Sequence, residues 1–400
     1  MNNLTKIPLN EILANNGYIY DRNKDSQSWR VLKNQNGDKV IVSRSSKNGD
    51  YLYFNPQDDR DRGNIYNFCR NRGIKPDDLL NGKAISDFKD EIPINAEYSN
   101  VFAIKKYKEL ENIKESNYFT EKRKIDKEFL SLFSGLKTDN YNNIAVPTFI
   151  VNQVYDKNLL TQSGFVNYLN NPIKKDKDGK LYDKPIKQLC YGEKGLEILK
   201  SKESKKAQIQ HIIICESIID SISLAQIHNY SSKDVLLCAT NGQFTKAHNE
   251  ILKYLQDECK DANFILGFDN DKAGKEYKQK ALQVLSKEKV STISPILKDF
   301  NDDLIISKTL HIKPKELSHS IILQEIMKLE KNANYVKEKY DILLPQARDE
   351  AFININQKDY PKFQLLKEKA SQAINFNFER IEKTFKEVKE ISVNFQSRNL

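Results

Sequence analysis

The chain changes grammar several times along its length. Over the first 80 residues short apolar and aromatic runs alternate with turn signals, as in SWRVLKNQNGDKVIVSR and SKNGDYLYFNP. Asn36-Gly37 and Asn48-Gly49 fall between β-prone runs, so they predict hairpin turns in a small antiparallel sheet. A short helix should follow over 63–72. Residues 95–136 read as a charged helical connector. Strand patterns return over 143–199, with a lysine-rich hairpin tip at 172–187. From 209 the runs IQHIIIC, VLLCA, ANFILGF and VSTISPIL are apolar at nearly every position and alternate with helical segments. Strands of that kind belong to a parallel sheet covered on both faces. After about Thr309 the pattern is helical, with breaks expected at Pro345 and Pro361.

The fold class is therefore α/β within an α+β whole: a parallel sheet flanked by helices, preceded by a small β-rich module and a mixed subdomain, and followed by helices. The expected divisions are 1–85, 95–207, 208–308 and 309–400. A chain of 400 residues with 39% hydrophobic and 30% charged residues can bury a core. No run approaches the roughly 20 apolar residues that cross a bilayer, and the first residues lack a secretory apolar segment. No membrane association is expected, and the cytoplasm is the expected location. The five cysteines are scattered without a CxxC pair, which argues against a disulfide framework and a cysteine-rich zinc site.

Charge narrows the partner. Sixty-four Lys plus Arg against 55 Asp plus Glu leave a net +9. Residues 165–210 hold eleven lysines and six acids, with Lys174, Lys175, Lys177, Lys180, Lys184 and Lys187 forming the densest group. These six are the candidate phosphate contacts, since a polyanion needs such a surface. Arg60, Arg62, Arg70 and Arg72 offer a second basic face. Trp29, Tyr51, Tyr53 and Phe54 are candidate platforms for stacked bases.

The acids of the parallel-sheet block sit at strand ends, where the functional crevice of an open parallel sheet lies. Glu216 ends the first strand, and Asp220 follows four residues later on the next helix. Asp269 and Asp271 follow the third strand in FDNDKAG, and Asp299, Asp302 and Asp303 follow the fourth in KDFNDDL. Individually each acid could be a cap or turn residue. Together they would repel one another without a cation, and oxygen-only ligands select Mg²⁺ or Mn²⁺. Glu216, Asp220, Asp269, Asp271 and Asp299 are the candidate metal ligands. Glu216, Asp269 and Asp271 are the candidate catalytic residues, Glu216 also as general acid or base.

This order resembles the Toprim domain shared by bacterial primases, type IA and II topoisomerases, and some nucleases and recombination proteins. It comprises Glu216, then Asp269-x-Asp271-x-x-Gly274, then Lys298-Asp299-Phe300-Asn301-Asp302. The resemblance covers residues 208–304 and is nearest the DnaG-type primase branch in Glu216-x-x-x-Asp220, DNDKAGKEY and the turn at Gly242. Ser217 departs from the glycine common after that glutamate. Upstream, GFVNYLNNP and KQLCYGEKGLEILK are similar to the basic subdomain that precedes Toprim in primases. YLYFNPQDDRDRGNIYNFCRNRG is similar to their zinc ribbon, but only Cys69 lies near, so no zinc is expected.

The resemblance implies a primase-like nucleotidyltransferase of a plasmid or other mobile element, making primers on single-stranded DNA from nucleotides with Mg²⁺ or Mn²⁺. A helicase or other replication protein is the expected partner of the C-terminal helices. A Toprim nuclease and a non-catalytic DNA-binding accessory protein are the alternatives.

Overall fold

The computed structural model describes residues 4–398 apart from 26–27, 46–47, 90, 93–99, 155–156, 177–178 and 206–207. It contains two compact units: residues 1–105 with 191–193, and 106–190 with 194–400.

In the first unit, α1 (Leu9–Asn15) precedes a five-stranded antiparallel meander of β1 (Ile19–Tyr20), β2 (Trp29–Lys33), β3 (Lys39–Arg44), β4 (Tyr51–Asn55) and β5 (Asp58–Gly63). The helix α2 (Ile65–Arg72) follows. Both Asn-Gly pairs fall in turns as expected, with Gly37 and Gly49 at positive φ. Alternation along the strands sends Leu32, Val40, Val42, Tyr51 and Tyr53 into one core with Leu9, Ile12, Ile65 and Phe68. This corrects the stacking set: Tyr51 and Tyr53 are core residues, whereas Trp29 and Phe54 are exposed.

Arg72 also differs from expectation. Instead of facing solvent on a basic surface, it ties the turn before β3 and the strand β5 to α2. Its guanidinium donates to both oxygens of Asp38 (2.9 and 3.1 Å) and to both oxygens of Asp61 (3.0 and 2.8 Å). Tyr53 Oη adds a 2.6 Å bond to Asp61. Burial pulls the Asp61 carboxyl upward, but the bonds from Arg72, Tyr53 and Asn71 outweigh it and hold the group well below the usual carboxylate range. Its stabilisation is therefore present above the ordinary carboxylate pKa of about 4 and is lost only as pH falls through the depressed value. Arg72→Met leaves two half-buried carboxylates without their cation and should cost about 3 kcal/mol. Trp29 is the chain's single tryptophan, so the denaturant midpoint of the full chain followed by its fluorescence checks this; an unchanged midpoint contradicts it.

The expected charged connector, which belongs to the first unit up to Lys105 and to the second from Lys106, is helical only in pieces (Asn100–Glu109, Tyr118–Glu121, Lys127–Ser131), because Asn117 caps a new start and short strands intervene. The strands β6 (Ile144–Val154), β7 (Lys157–Lys175), β8 (Leu181–Gly192) and β9 (Leu196–Ser201) come next. They are followed by β10 (His211–Cys215), α3 (Ile218–Ile227), β11 (Val235–Ala239), α4 (Lys246–Glu258), β12 (Asn263–Leu266), α5 (Lys272–Leu282) and β13 (Val290–Thr292). One sheet runs in the order β8-β7-β6-β9-β11-β10-β12-β13. β10 pairs in parallel with β11 and β12, and β12 with β13, while β9 joins them to β6 by antiparallel pairing.

The uniformly apolar runs now have their cause. Ile213 and Cys215 of β10 pack with α3 on one face, and Ile212 and Ile214 pack with α4 and α5 on the other. The lysine-rich segment is more than a tip: it forms the ends of two long strands joined around 176–180.

A helical region completes the unit: α6 (Phe300–Leu310), α7 (His319–Lys339), α8 (Pro345–Asn354), α9 (Tyr360–Ala370) and α10 (Phe378–Arg398). Pro345 opens a helix as expected. Pro361 does not break one, because a π-helical stretch (Ile355–Asp359) leads into α9 and absorbs the missing N–H. Ile306 of α6 shares a core with Ile322, Phe363, Leu366, Ala370 and Phe385.

Candidate carboxylate site

The candidate acids are set by backbone geometry at the carboxyl ends of the parallel strands. Glu216 follows β10, and its carbonyl accepts from Gly242 N at 3.3 Å. Asn241 and Gly242 both have positive φ (54° and 66°), so a left-handed turn carries β11 past Glu216. A Cβ on Gly242 would stand 3.6 Å from Glu216 Oε1. Gly274, in the first turn of α5, lies so close over Asp269 that a Cβ there would be 2.1 Å from the Asp269 carbonyl. No other residue permits that approach without shifting the backbone.

Asp271 and Asp299 are N-caps, as an isolated acid at such a position would be. Asp271 Oδ1 accepts from Gly274 N at 2.9 Å, and Asp299 Oδ1 from Asp302 N at 2.7 Å. Among the described residues, Glu216 Oε2 and Asp269 Oδ1 are buried without a hydrogen-bond partner. Asp220 differs: Ser217 Oγ donates to one of its oxygens at 2.5 Å and Asn301 N to the other at 3.1 Å. Asp303 is occupied by the backbone N–H groups of Ile296 and Leu297.

The electrostatics link these groups. Burial raises the Asp269 carboxyl, and the charges of Asp220, Glu216 and Asp299 raise it further. Glu216 is raised by burial and then by Asp271. Asp220 is raised by burial and Asp299. Lys298 opposes the trend: half-buried, it loses charge stability to desolvation but regains it from Asp269, Asp299, Asp271 and Glu216.

The donor set contains hard oxygens only, with two buried oxygens unpartnered, and this chemistry fits a divalent cation. Among the described residues, no three His, Cys, Asp or Glu side chains stand close enough to ligate one as placed.

Beside the carboxylates lies a cleft of about 660 Å³ lined by Arg123, Lys184, Lys187, Gln188, Ser217, Asp220, Asp299 and Asn301. Two of the six candidate lysines therefore meet the acids. Lys174, Lys175 and Lys180 are exposed on the hairpin away from that lining, and Lys177 lies outside the described residues. Gln188 Nε2 donates to Asn241 Oδ1, tying β8 to the Gly242 turn. Arg123, absent from the sequence-derived set, bonds to Tyr118 Oη at 2.8 Å while its carbonyl accepts from Asn301 Nδ2 at 2.9 Å. No local motif marks it, since Asn301, the partner that ties it to the acids, lies 178 residues away.

Without metal, the raised carboxylates make stability depend on pH in a fixed direction. Folding takes up protons between the ordinary carboxylate range near 4 and the raised values. This stabilisation is full below that range and is lost as pH rises through the raised pKa values. In EDTA, the melting temperature should fall by several degrees between about pH 5 and 8. Asp269→Asn should flatten the slope; a wild-type profile that rises with pH over that range contradicts the assignment.

A Toprim-like family model matches residues 213–304, the stretch that carries Glu216, Asp269, Asp271 and Asp299. Among solved structures, the primase fragment of the bacteriophage T7 primase-helicase protein is 16% identical. That alignment covers 48% of this chain and 73% of that one, with a TM-score of 0.24. A chain from a bacteriophage T7 lagging-strand DNA polymerase complex, with primase domains bound to an RNA/DNA hybrid and dTTP, is also 16% identical. It covers 50% of this chain and 86% of that one, with a TM-score of 0.26. No curated protein matches the sequence significantly.

Proposed function

We propose that this protein is a primase-like nucleotidyltransferase that makes short primers on single-stranded DNA. The observation that carries the reading is the junction of two charge environments: a stretch matched by a Toprim-like model, whose Asp220 and Asp299 border a cleft also lined by Arg123, Lys184 and Lys187. Glu216, Asp269, Asp271 and Asp299 would hold Mg²⁺ or Mn²⁺. When bound, the ion supplies charge neutralisation on the phosphates during phosphoryl transfer.

The protein's own groups do the rest. Asp220, expected among the ligands, acts as a strut that joins Ser217 at the start of α3 to Asn301 at the start of α6. It thereby fixes the distance between the loops bearing Glu216 and Asp299. Arg123, Lys184 and Lys187 bind phosphate oxygens of nucleotide and template, and Lys298 limits repulsion among the acids. The outlying lysines Lys174, Lys175 and Lys180 extend the template path along the hairpin. A plasmid or other mobile element as source, and a helicase or replication protein on the C-terminal helices, complete the proposal.

The test is incubation of the full chain with Mg²⁺ or Mn²⁺, labelled NTPs or dNTPs and single-stranded DNA, resolving new products and template fragments on one gel. New short products support primer synthesis. Template fragments alone indicate a nuclease, and neither outcome with DNA still bound indicates an accessory protein.

A further inference from the structure

The C-terminal helices reach the start of α6, next to Asp299, through a mostly buried lysine. Lys369, near the end of α9, places Nζ 3.0 Å from Asp302 Oδ1, with side-chain exposures of 18% and 10%. Asp302 lies in the first turn of α6, and its N–H is the donor that Asp299 caps. The same ammonium is 3.1 Å from Glu368, whose side chain is mostly exposed. The helix is held in place by its own core, since Phe363, Leu366 and Ala370 of α9 pack with Ile306 of α6 and Leu297 in the loop before it. Lys369 is thus delivered by rigid packing, unlike a surface lysine that samples many rotamers. A buried pair of this kind is a poor stabiliser relative to apolar packing, so its value lies in what it does to Asp302.

We propose that Lys369 is a positioning residue of the carboxylate site, holding Asp302 as an ion pair and so withholding that carboxylate from the cation that Glu216, Asp269, Asp271 and Asp299 bind. The proposal rests on the metal reading above. α6 begins with three acids in five positions, and the fold gives each a different partner. Asp299 caps the helix and borders the cleft, Asp303 takes two backbone N–H groups, and Asp302 takes the tail's lysine. Removing the lysine frees a carboxylate and deletes a positive charge close to the site, and both changes favour a divalent cation. The helical region thereby sets how strongly the Toprim-like site holds metal.

Mn²⁺ binding to the full chain, measured by calorimetry and by electron paramagnetic resonance of free Mn²⁺, tests this without recourse to activity. Wild type should bind Mn²⁺ and Asp271→Asn should bind it much more weakly; failure of either overturns the metal reading itself. With those in place, Lys369→Met should bind Mn²⁺ at least fivefold more tightly or take up an additional ion. Lys369→Met/Asp302→Asn should return to wild-type affinity and stoichiometry. Lys367→Met changes a lysine on the same helix that pairs with Glu379 and Glu382, and it should leave binding unchanged. If Lys369→Met fails to fold by thermal melt, Lys369→Gln keeps a donor to Asp302 without the charge and should also tighten binding. Unchanged Mn²⁺ binding in the folded Lys369 variant, or a double variant that keeps the tighter binding, overturns the inference.

Discussion

Asp271→Asn should reduce metal-dependent product formation by about two to three orders of magnitude while leaving the melting temperature equal to or slightly above wild type. The loss follows from removing one of the charged oxygens proposed to hold the ion that neutralises the phosphates. The unimpaired fold follows from the cap. Asp271 Oδ1 accepts from Gly274 N, and an asparagine oxygen caps a helix about as well as an aspartate oxygen. One repelling charge also leaves the neighbourhood of Glu216. The substitution therefore separates the two roles of one residue. Activity within a fewfold of wild type shows that Asp271 is a cap alone; a large drop in melting temperature shows that the variant reports on folding.

Replacing Lys184 and Lys187 together by alanine should lower the salt slope of single-stranded DNA binding by about 1.4, at about 0.7 for each lost phosphate contact. The loss should be nearly the same for all template sequences. Both side chains are exposed on β8 and line the cleft beside Ser217 and Asp299, so the fold should be little affected. Binding of Mn²⁺ should persist, since no carboxylate is touched. Fluorescence anisotropy across a salt series reads both slope and affinity. A slope equal to wild type makes these lysines ordinary solvated residues and moves the backbone path to the exposed Arg60, Arg62 and Arg70 of the first unit.

The parts of this structure that were legible in the sequence share a local cause. β10, β11 and β12 announce themselves because residues facing either side must be apolar when helices cover both faces of a sheet. Glu216, Asp269 and Asp271 stood out as candidates because each lies within five residues of a strand end, and strand ends can be read from the same pattern; Asp299, seven residues past β13, stood out only with the rest of the set. What stayed hidden depends on distant chain segments. Arg72 resembled one more surface cation until its two carboxylates arrived from the turn at Asp38 and from Asp61 on β5. Arg123 and Lys369 lie in segments without any motif, and only the packing of α6 brings them to Asn301 and Asp302. Tyr51 and Tyr53 illustrate the same limit, because alternation in β4 shows two faces without saying which is covered. Asp220 was visible as a carboxylate at helical spacing from Glu216, whereas its engagement by Ser217 and Asn301 was not.

The chemical identity of the product tests the central claim most directly. The full chain, supplied with Mg²⁺, unlabelled circular single-stranded DNA and NTPs, should yield short oligonucleotides. Mass spectrometry should find them complementary to the template and carrying a 5′-triphosphate, and Asp271→Asn should abolish them. A linearised circle, or fragments with the template's own sequence and no triphosphate-bearing oligonucleotide, would contradict primer synthesis and assign the site to phosphodiester cleavage.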